Sequence, residues 1–311
     1  MNRRAPLDEL LGDHFSRRDA LAAGVAVRRL SAHDLRIRFR GARTRVRDSE
    51  MPGDRFEQAQ GALLERCAEY LPVAPSGFAF SHATAARLHG LPLPARLTAS
   101  DDLHVCVPPA VRAPRRPGVV GHGAQSVERM IVRGLPVVEP RLAWFQMAPA
   151  LSVDELVVAG DGLVRRKRPL STLAAIDELI GSSPRARGIR TARAAMLDIR
   201  AGTDSPPESE VRLILVRDGL PEPVIRHTVH DADGFFVGTP DLAYPDERIA
   251  IEYQGAGHRE DRETFEDDII RRELFRRAGW HVFLVTSRTL RRPGILAGEM
   301  RALLSERSVL R

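Results

Sequence analysis

Asp241 and Glu252 carry the clearest chemical case in the chain. They flank Pro245-Asp246-Glu247-Arg248, a run of turn-forming residues with β-favouring residues on both sides. A hairpin closed symmetrically on that run sets Tyr244 against Ile249, Ala243 against Ala250, and Asp241 against Glu252. Directly opposed residues share a face, and strand alternation adds Gln254 to it. Leu242, Tyr244, Ile249, Ile251 and Tyr253 take the other face, toward a core. Two opposed carboxylates repel, so the pairing calls for a positive charge between them. A divalent cation would supply it. Carboxylate oxygens suit Mg2+ or Mn2+, ions that can activate a bound water. On this reading Asp241 and Glu252 hold the metal, with Glu210 in an outer or second-metal role. Gln254 orients the water but, as an amide, cannot serve as its base. A neutral His258 takes the proton, or the metal alone lowers the water's pKa. The bland reading of the same residues is an acidic surface hairpin.

The flanking sequence supplies elements to position these groups. Ser205-Pro206-Pro207-Glu208 starts a helix, with Ser as cap, Pro in the first turn and Glu208 closing the cap. Glu210 lies just beyond and is not used by the cap. Val224–Val229 reads as a strand ahead of the hairpin. A long helix runs from about Thr264 to Ala278. Phe265, Ile269, Phe275 and Ala278 face inward, and Arg271, Arg272, Arg276 and Arg277 face outward, as a solvated face or, with Arg271 foremost, as a DNA contact. Trp280–Thr286 reads as a buried strand and Ile295–Arg307 as a last helix. The order is helix, three strands, helix, strand, helix: an α/β sandwich around a mixed sheet.

From roughly Ser205 to Thr289 the chain resembles the PD-(D/E)xK nuclease superfamily, with its restriction-endonuclease-like core. The nearest likeness is to small bacterial domains related to very-short-patch-repair endonucleases. The resemblance implies that Asp241, in Thr239-Pro240-Asp241, and Glu252 are the two metal-binding carboxylates. It implies that Glu210 is the carboxylate of the first core helix, and that Gln254 stands where lysine is common. Asp268 and Arg271, then Phe275 and Gly279-Trp280, fit the helix-to-strand pattern after the site, and His258 sits where these domains often carry histidine. The sequence departs in having Gln for Lys and in lacking the repair enzymes' cysteine-rich zinc site. The implied activity is a Mg2+- or Mn2+-dependent DNA endonuclease. The competing class is a non-catalytic DNA-binding regulator or antitoxin that keeps the nuclease fold as a platform; an RNA-processing nuclease is a third.

Residues 1 to 50 read as a small basic module. Ser16 caps a helix through Ala20–Ala23, Gly24 turns, and a second helix covers Val27 to Leu35, in the manner of a helix-turn-helix. A hairpin about Gly41-Ala42 then sets Arg40 against Arg43, Arg38 against Arg45, and Arg36 against Arg47. Six arginines would line one face, which costs stability unless phosphates sit there. The bland alternative is a solvated face. Residues 55 to 200 form a middle region. Helices are expected at Phe56–Leu71, His82–His89, Arg141–Ala148, Val153–Val164, Leu173–Ile180 and Thr191–Ile199, and a strand at Leu103–Val107. His82, His89, His104 and His122 invite a metal reading, but they match no tight ligand spacing, and capping, packing or surface roles are the preferred reading. Phe15–Gly24 and Ser81–Pro92 resemble the helix-turn-helix antitoxins of the AbiEi type, which implies DNA binding in a winged-helix-like module. A linker at Arg200–Asp204 leads into the domain at 205–311.

Bulk properties agree with this outline. The 311 residues suffice for two or three domains, and the formal charge of +6 favours a polyanionic partner such as DNA. Lys167 is the sole lysine, so arginine number reflects compositional bias and only arginine placement is informative. Cys67 and Cys106 are too few for a disulfide framework and read as reduced core thiols. No apolar run is long enough to cross a membrane, so the expectation is a cytoplasmic protein with no membrane partner; a homodimer is left open.

Overall fold

A computed structural model describes residue 7 and residues 11–46, 53–255 and 262–309, with the side chains of residues 55, 262–269 and 309 left out. Arg47 and His258 lie outside the described residues. The architecture is mixed α/β, in two compact units, Met1–Met147 and Ala148–Arg311. The boundaries expected near residues 50 and 200 fall inside these units.

The first unit opens with β1 (His14–Ser16), α1 (Arg17–Ala22), β2 (Leu35–Arg36) and β3 (Ala42–Arg45). These strands form a small sheet in the order β1-β3-β2. Ser16 caps α1, its hydroxyl oxygen accepting from Asp19 N–H at 3.0 Å. Instead of a second α-helix over Val27–Leu35 there is a single 3-10 turn at Val27–Ser31, whose Leu30 is buried with Phe15, Ala20 and Leu35.

The basic hairpin forms in a different register. β2 and β3 pair Leu35 with Arg45 and Arg36 with Thr44. The cause is Phe39, which leaves the strand path and is buried against Tyr70, ring centroids 5.3 Å apart. Burying an aromatic ring is worth on the order of 2 kcal/mol, more than a strict alternation of exposed arginines could return. The arginines therefore scatter. Arg43 is buried, and its Nε and Nη1 donate to the carbonyls of Leu30 and Ala42 at 2.5 and 2.7 Å. Arg36 Nε and Arg38 Nε lie 2.7 and 2.6 Å from the buried carboxylate of Glu69. Arg45 Nε donates to Gly12 O at 2.9 Å, and Arg40 is exposed. No single face carries them all.

The unit continues with α2 (Arg55–Tyr70), β4 (Ala79–Phe80), α3 (His82–Leu88), α4 (Ala95–Thr98), β5 (Leu103–Val107), β6 (Arg115–Arg116), β7 (Val119–Gly123), β8 (Arg129–Val132), β9 (Leu135–Val138) and α5 (Pro140–Met147). Asp54 starts α2 with a full capping box to Glu57. The six-stranded sheet runs β6-β7-β5-β4-β9-β8 and packs on α2 through Leu63, Cys67 and Tyr70.

The second unit begins with α6 (Val153–Leu163), α7 (Leu173–Ser182), α8 (Ile189–Asp198) and α9 (Pro206–Arg217). Arg212 of α9 is buried and ties three segments together. It reaches Asp161 Oδ2 of α6 at 2.9 Å, Asp198 O of α8 at 2.8 Å and Glu222 Oε1 at 2.9 Å. Then come β10 (Val224–Ile225), β11 (Val229–His230), β12 (Phe236–Gly238), β13 (Leu242–Tyr244), β14 (Ile249–Gln254), α10 (Arg262–Arg277), β15 (His281–Thr286), α11 (Ser287–Leu290) and α12 (Pro293–Val309). The strand expected over Val224–Val229 is split, with Arg226 in the left-handed region at φ 54° between its two parts.

The central sheet is β10-β13-β14-β15, antiparallel except for the β14–β15 pair. Leu242, Tyr244, Ile249 and Ile251 bury one face with Val211 and Leu215 of α9 and Leu296 and Met300 of α12. Ala243 and Ala250 bury the other face with Phe275 of α10 and Trp280. Small alanines on that face let α10 approach closely. Gly238 does the same at its edge, since a Cβ there would lie 2.9 Å from the Phe275 ring.

Candidate functional site

The hairpin pairs Leu242 with Ile251, Ala243 with Ala250 and Tyr244 with Ile249. Continued by one step, that register sets Asp241 opposite Glu252, on the face covered by α10. The ladder itself stops before them. Asp241 uses its side chain instead, Oδ2 accepting from Tyr253 N–H at 2.9 Å, while its carbonyl accepts from Arg226 N–H at 3.0 Å.

The positive charge beside Glu252 belongs to Arg271. Its Nη2 lies 2.7 Å from Glu252 Oε1 and donates to Thr239 O at 3.0 Å. Its charge also acts on Asp241. The outward-facing role read from helical periodicity is therefore corrected for Arg271: it turns over the Phe275 ring toward the sheet. Arg276 and Arg277 do face outward, paired with Glu273 on their own helix.

Glu208, at the start of α9, is the acid that responds to Asp241. It is buried, and it accepts from Asp204 N–H at 2.9 Å and from the Ser205 hydroxyl at 2.8 Å. Burial raises its pKa first; the Asp204 amide and Ser205 hydroxyl oppose that, and the charges of Asp241 and Asp204 add to it. Burial likewise raises Asp241, against the Tyr253 amide and the charges of Arg271 and Arg226, with Asp204 adding to the rise. Asp204 itself is clamped by Arg166 Nη2 at 2.7 Å and Arg226 Nη1 at 3.0 Å. The carboxyls of Asp204, Glu208, Asp241 and Glu252 are met by the guanidinium groups of Arg166, Arg226 and Arg271, and Lys167 also acts on Asp204, whose pKa is lowered while burial raises those of Glu208 and Asp241.

Glu210, the helix carboxylate expected from the sequence, is exposed; partial desolvation raises its pKa, and Asp241 contributes nothing to that shift. Sequence explains Glu208 by capping alone, and its electrostatic coupling to Asp241 depends on how α9 meets the sheet. Gln254 ends β14, half-buried, opposite Thr286 of β15. Asp241, Glu252 and Glu210 do not form a tight three-ligand group among the described residues. The group that does is His82, His104 and His122, with one ring nitrogen from each within 4.8 Å of the others. Three of the four histidines that spacing alone could not group thus come together in the fold; His89 stands apart, its Nε2 donating to Val138 O at 2.7 Å.

No family model matches the chain. It is similar to two proteins of Mycobacterium tuberculosis, uncharacterized protein MT2308 of strain CDC 1551 and uncharacterized protein Rv2248 of strain H37Rv. Each is 25% identical over 193 residues, covering 62% of this chain and 70% of the relative. No solved structure matches. No helix among the described residues is long and apolar enough to cross a membrane.

Proposed function

We propose that the second unit is a metal-dependent endonuclease domain acting on DNA, with Asp241 and Glu252 as ligands for Mg2+ or Mn2+. The observation that carries this reading is the opposed pair on the α10 face of the hairpin, with the buried Glu208 electrostatically coupled to Asp241. Glu208 takes the helix-carboxylate role in place of Glu210. The divalent ion would neutralise the phosphate and lower the pKa of the attacking water. Gln254, at the end of β14, orients that water without accepting its proton, and His258 remains the side-chain candidate for the base. DNA as substrate follows from the charge of +6 and from the resemblance of the hairpin and its flanking helices to PD-(D/E)xK domains.

One observation favours a second reading, a DNA-binding regulator that keeps the fold without the chemistry. Glu252 is already paired with Arg271, and Gln254 stands where the lysine would be. Plasmid nicking with Mg2+ or Mn2+ separates the two. The enzyme reading expects cleavage by the full chain that falls at least about a hundredfold in Asp241→Asn plus Glu252→Gln, since loss of metal ligands removes several kcal/mol of transition-state stabilisation. Equal, background-level nicking by both proteins, with DNA binding retained, would select the regulator.

A further inference from the structure

We propose that His82, His104 and His122 form a binding site for one Zn2+ ion in the first unit. The site is independent of the carboxylates above, in ligand type and in the unit that carries it.

The sheet topology assembles it. β5 and β7 run parallel as neighbours, placing His104 and His122 on adjacent strands, and β4 on the other side of β5 leads directly into His82 at the start of α3. His104 Nδ1 and His122 Nε2 are 3.1 Å apart. Two nitrogens bound to one tetrahedral zinc at 2.0–2.1 Å lie about 3.3 Å apart, so this edge of the site is nearly set. The His104 ring centroid lies 5.3 Å from that of His122 and 5.8 Å from that of His82. Rings radiating from a shared zinc would be about 5 Å apart by the same geometry. The remaining pair is closer: His82 stacks on His122 at 3.6 Å. Zinc uptake therefore requires His82 to swing off the His122 face.

The surroundings hold the histidines as ligands need to be held. His82 adopts φ 48°, a left-handed conformation that costs a non-glycine residue about 1–3 kcal/mol and persists only where neighbours enforce it. Its main-chain N–H is fixed by Gln146 Oε1 at 2.9 Å. Its Nδ1 is 3.0 Å from the Ser81 hydroxyl, which leaves Nε2 for the metal. A second group that fixes one ring nitrogen while the other binds the ion is the usual support of a zinc histidine. The main chain of His104 is held too, its N–H donating to Thr84 Oγ1 at 2.8 Å and its carbonyl accepting from Ser81 N–H at 2.9 Å.

The donor set selects the ion. Three imidazoles without carboxylate or thiolate favour zinc and its neighbours over Mg2+, Mn2+ or Ca2+. Three protein ligands leave a fourth position for water or an exogenous ligand, and all three histidines are only half-buried, so that position is reachable.

The full chain, stripped with chelator and titrated with Zn2+ against a competing indicator, is expected to bind one ion that a large excess of Mg2+ does not displace. His104→Gln and His122→Ala should each weaken binding by about a hundredfold or more, beyond the loss typical of a supporting residue. His230→Ala, outside the cluster, should not change it. X-ray absorption at the zinc edge of the wild-type chain should show an all-nitrogen and oxygen shell with imidazole scattering, a readout that needs no variant to fold. Absence of tight Zn2+ binding, unchanged affinity in His122→Ala, or a shell without imidazole would each overturn the proposal. Because Mg2+- or Mn2+-dependent nicking is assayed separately, failure of either reading leaves the other standing.

Discussion

Arg271 Nη2, 2.7 Å from Glu252, is an internal cation that any divalent ion at that carboxylate must displace or share with. The arginine is half-exposed, and a pair of that kind is worth on the order of 1 kcal/mol or less. Under the nuclease reading, Arg271→Gln should tighten Mn2+ binding by up to about fivefold by calorimetric titration, and Glu252→Gln should abolish it. Weaker binding in Arg271→Gln would mean that the guanidinium organises the ligand instead of competing for it. His89 allows a prediction free of metal. Burial lowers its pKa from the ordinary 6.5, although the bond to Val138 O pulls the other way. The unfolded chain therefore takes up this proton more readily than the folded one. The stability contributed by the neutral ring is full above the unfolded value and is lost as pH falls below it toward the folded pKa. Denaturant unfolding of His89→Gln, which retains a donor for Val138, should lose stability less steeply than wild type below pH 6.5. An unchanged slope would remove His89 from the groups that set acid sensitivity.

At the scale of elements, the two hairpins show what local sequence can specify. The 241–254 hairpin was legible because a four-residue turn and a strict two-residue alternation lie side by side, and both fix register. The basic hairpin has an equally regular alternation, yet its register follows Phe39 and Tyr70, and its charges are met by Glu65 and Glu69 of α2. Glu65, Glu69 and Tyr70 all lie outside the hairpin, on α2. The histidine cluster was hidden for the same reason: strand order, unlike strand existence, is a long-range property. Glu208 was hidden by a different ambiguity, because a capping glutamate and a site glutamate occupy the same position. The corrected hairpin changes what its arginines should do. If the chain binds DNA as proposed, replacing Arg36 and Arg38, both already paired to Glu69, by alanine should shift the salt dependence of that binding by well under the roughly two counterions that two free phosphate contacts would release. A loss of about two in the logarithmic slope would show that DNA draws both side chains away from Glu69.

At the scale of the molecule, the division at Met147 and Ala148 is a claim about which segments share a core. Composition places a linker at Arg200–Asp204, because glycine and short polar residues there break the helical pattern. The packing disagrees, and Arg212 shows why. Its side chain is 2% exposed, and its ligands Asp161 and Asp198 O both precede that linker, so α6 and α8 complete the burial of α9. Removing one partner of a buried pair leaves an uncompensated charge and costs about 3–5 kcal/mol. A fragment of residues 148–311 should therefore fold alone, with a cooperative thermal transition followed by circular dichroism. A fragment of residues 205–311, cut at the apparent linker, loses both ligands and the apolar cover of α9, and should not unfold cooperatively. Within 148–311, Asp161→Ala should lower unfolding free energy by less than the about 3–5 kcal/mol of a fully stranded charge, because Glu222 still reaches Arg212, and adding Arg212→Met should recover part of the loss. A stable, cooperative 205–311 fragment would make α6 to α8 an accessory to the sheet domain; its failure, with rescue in the double variant, would make them part of its core.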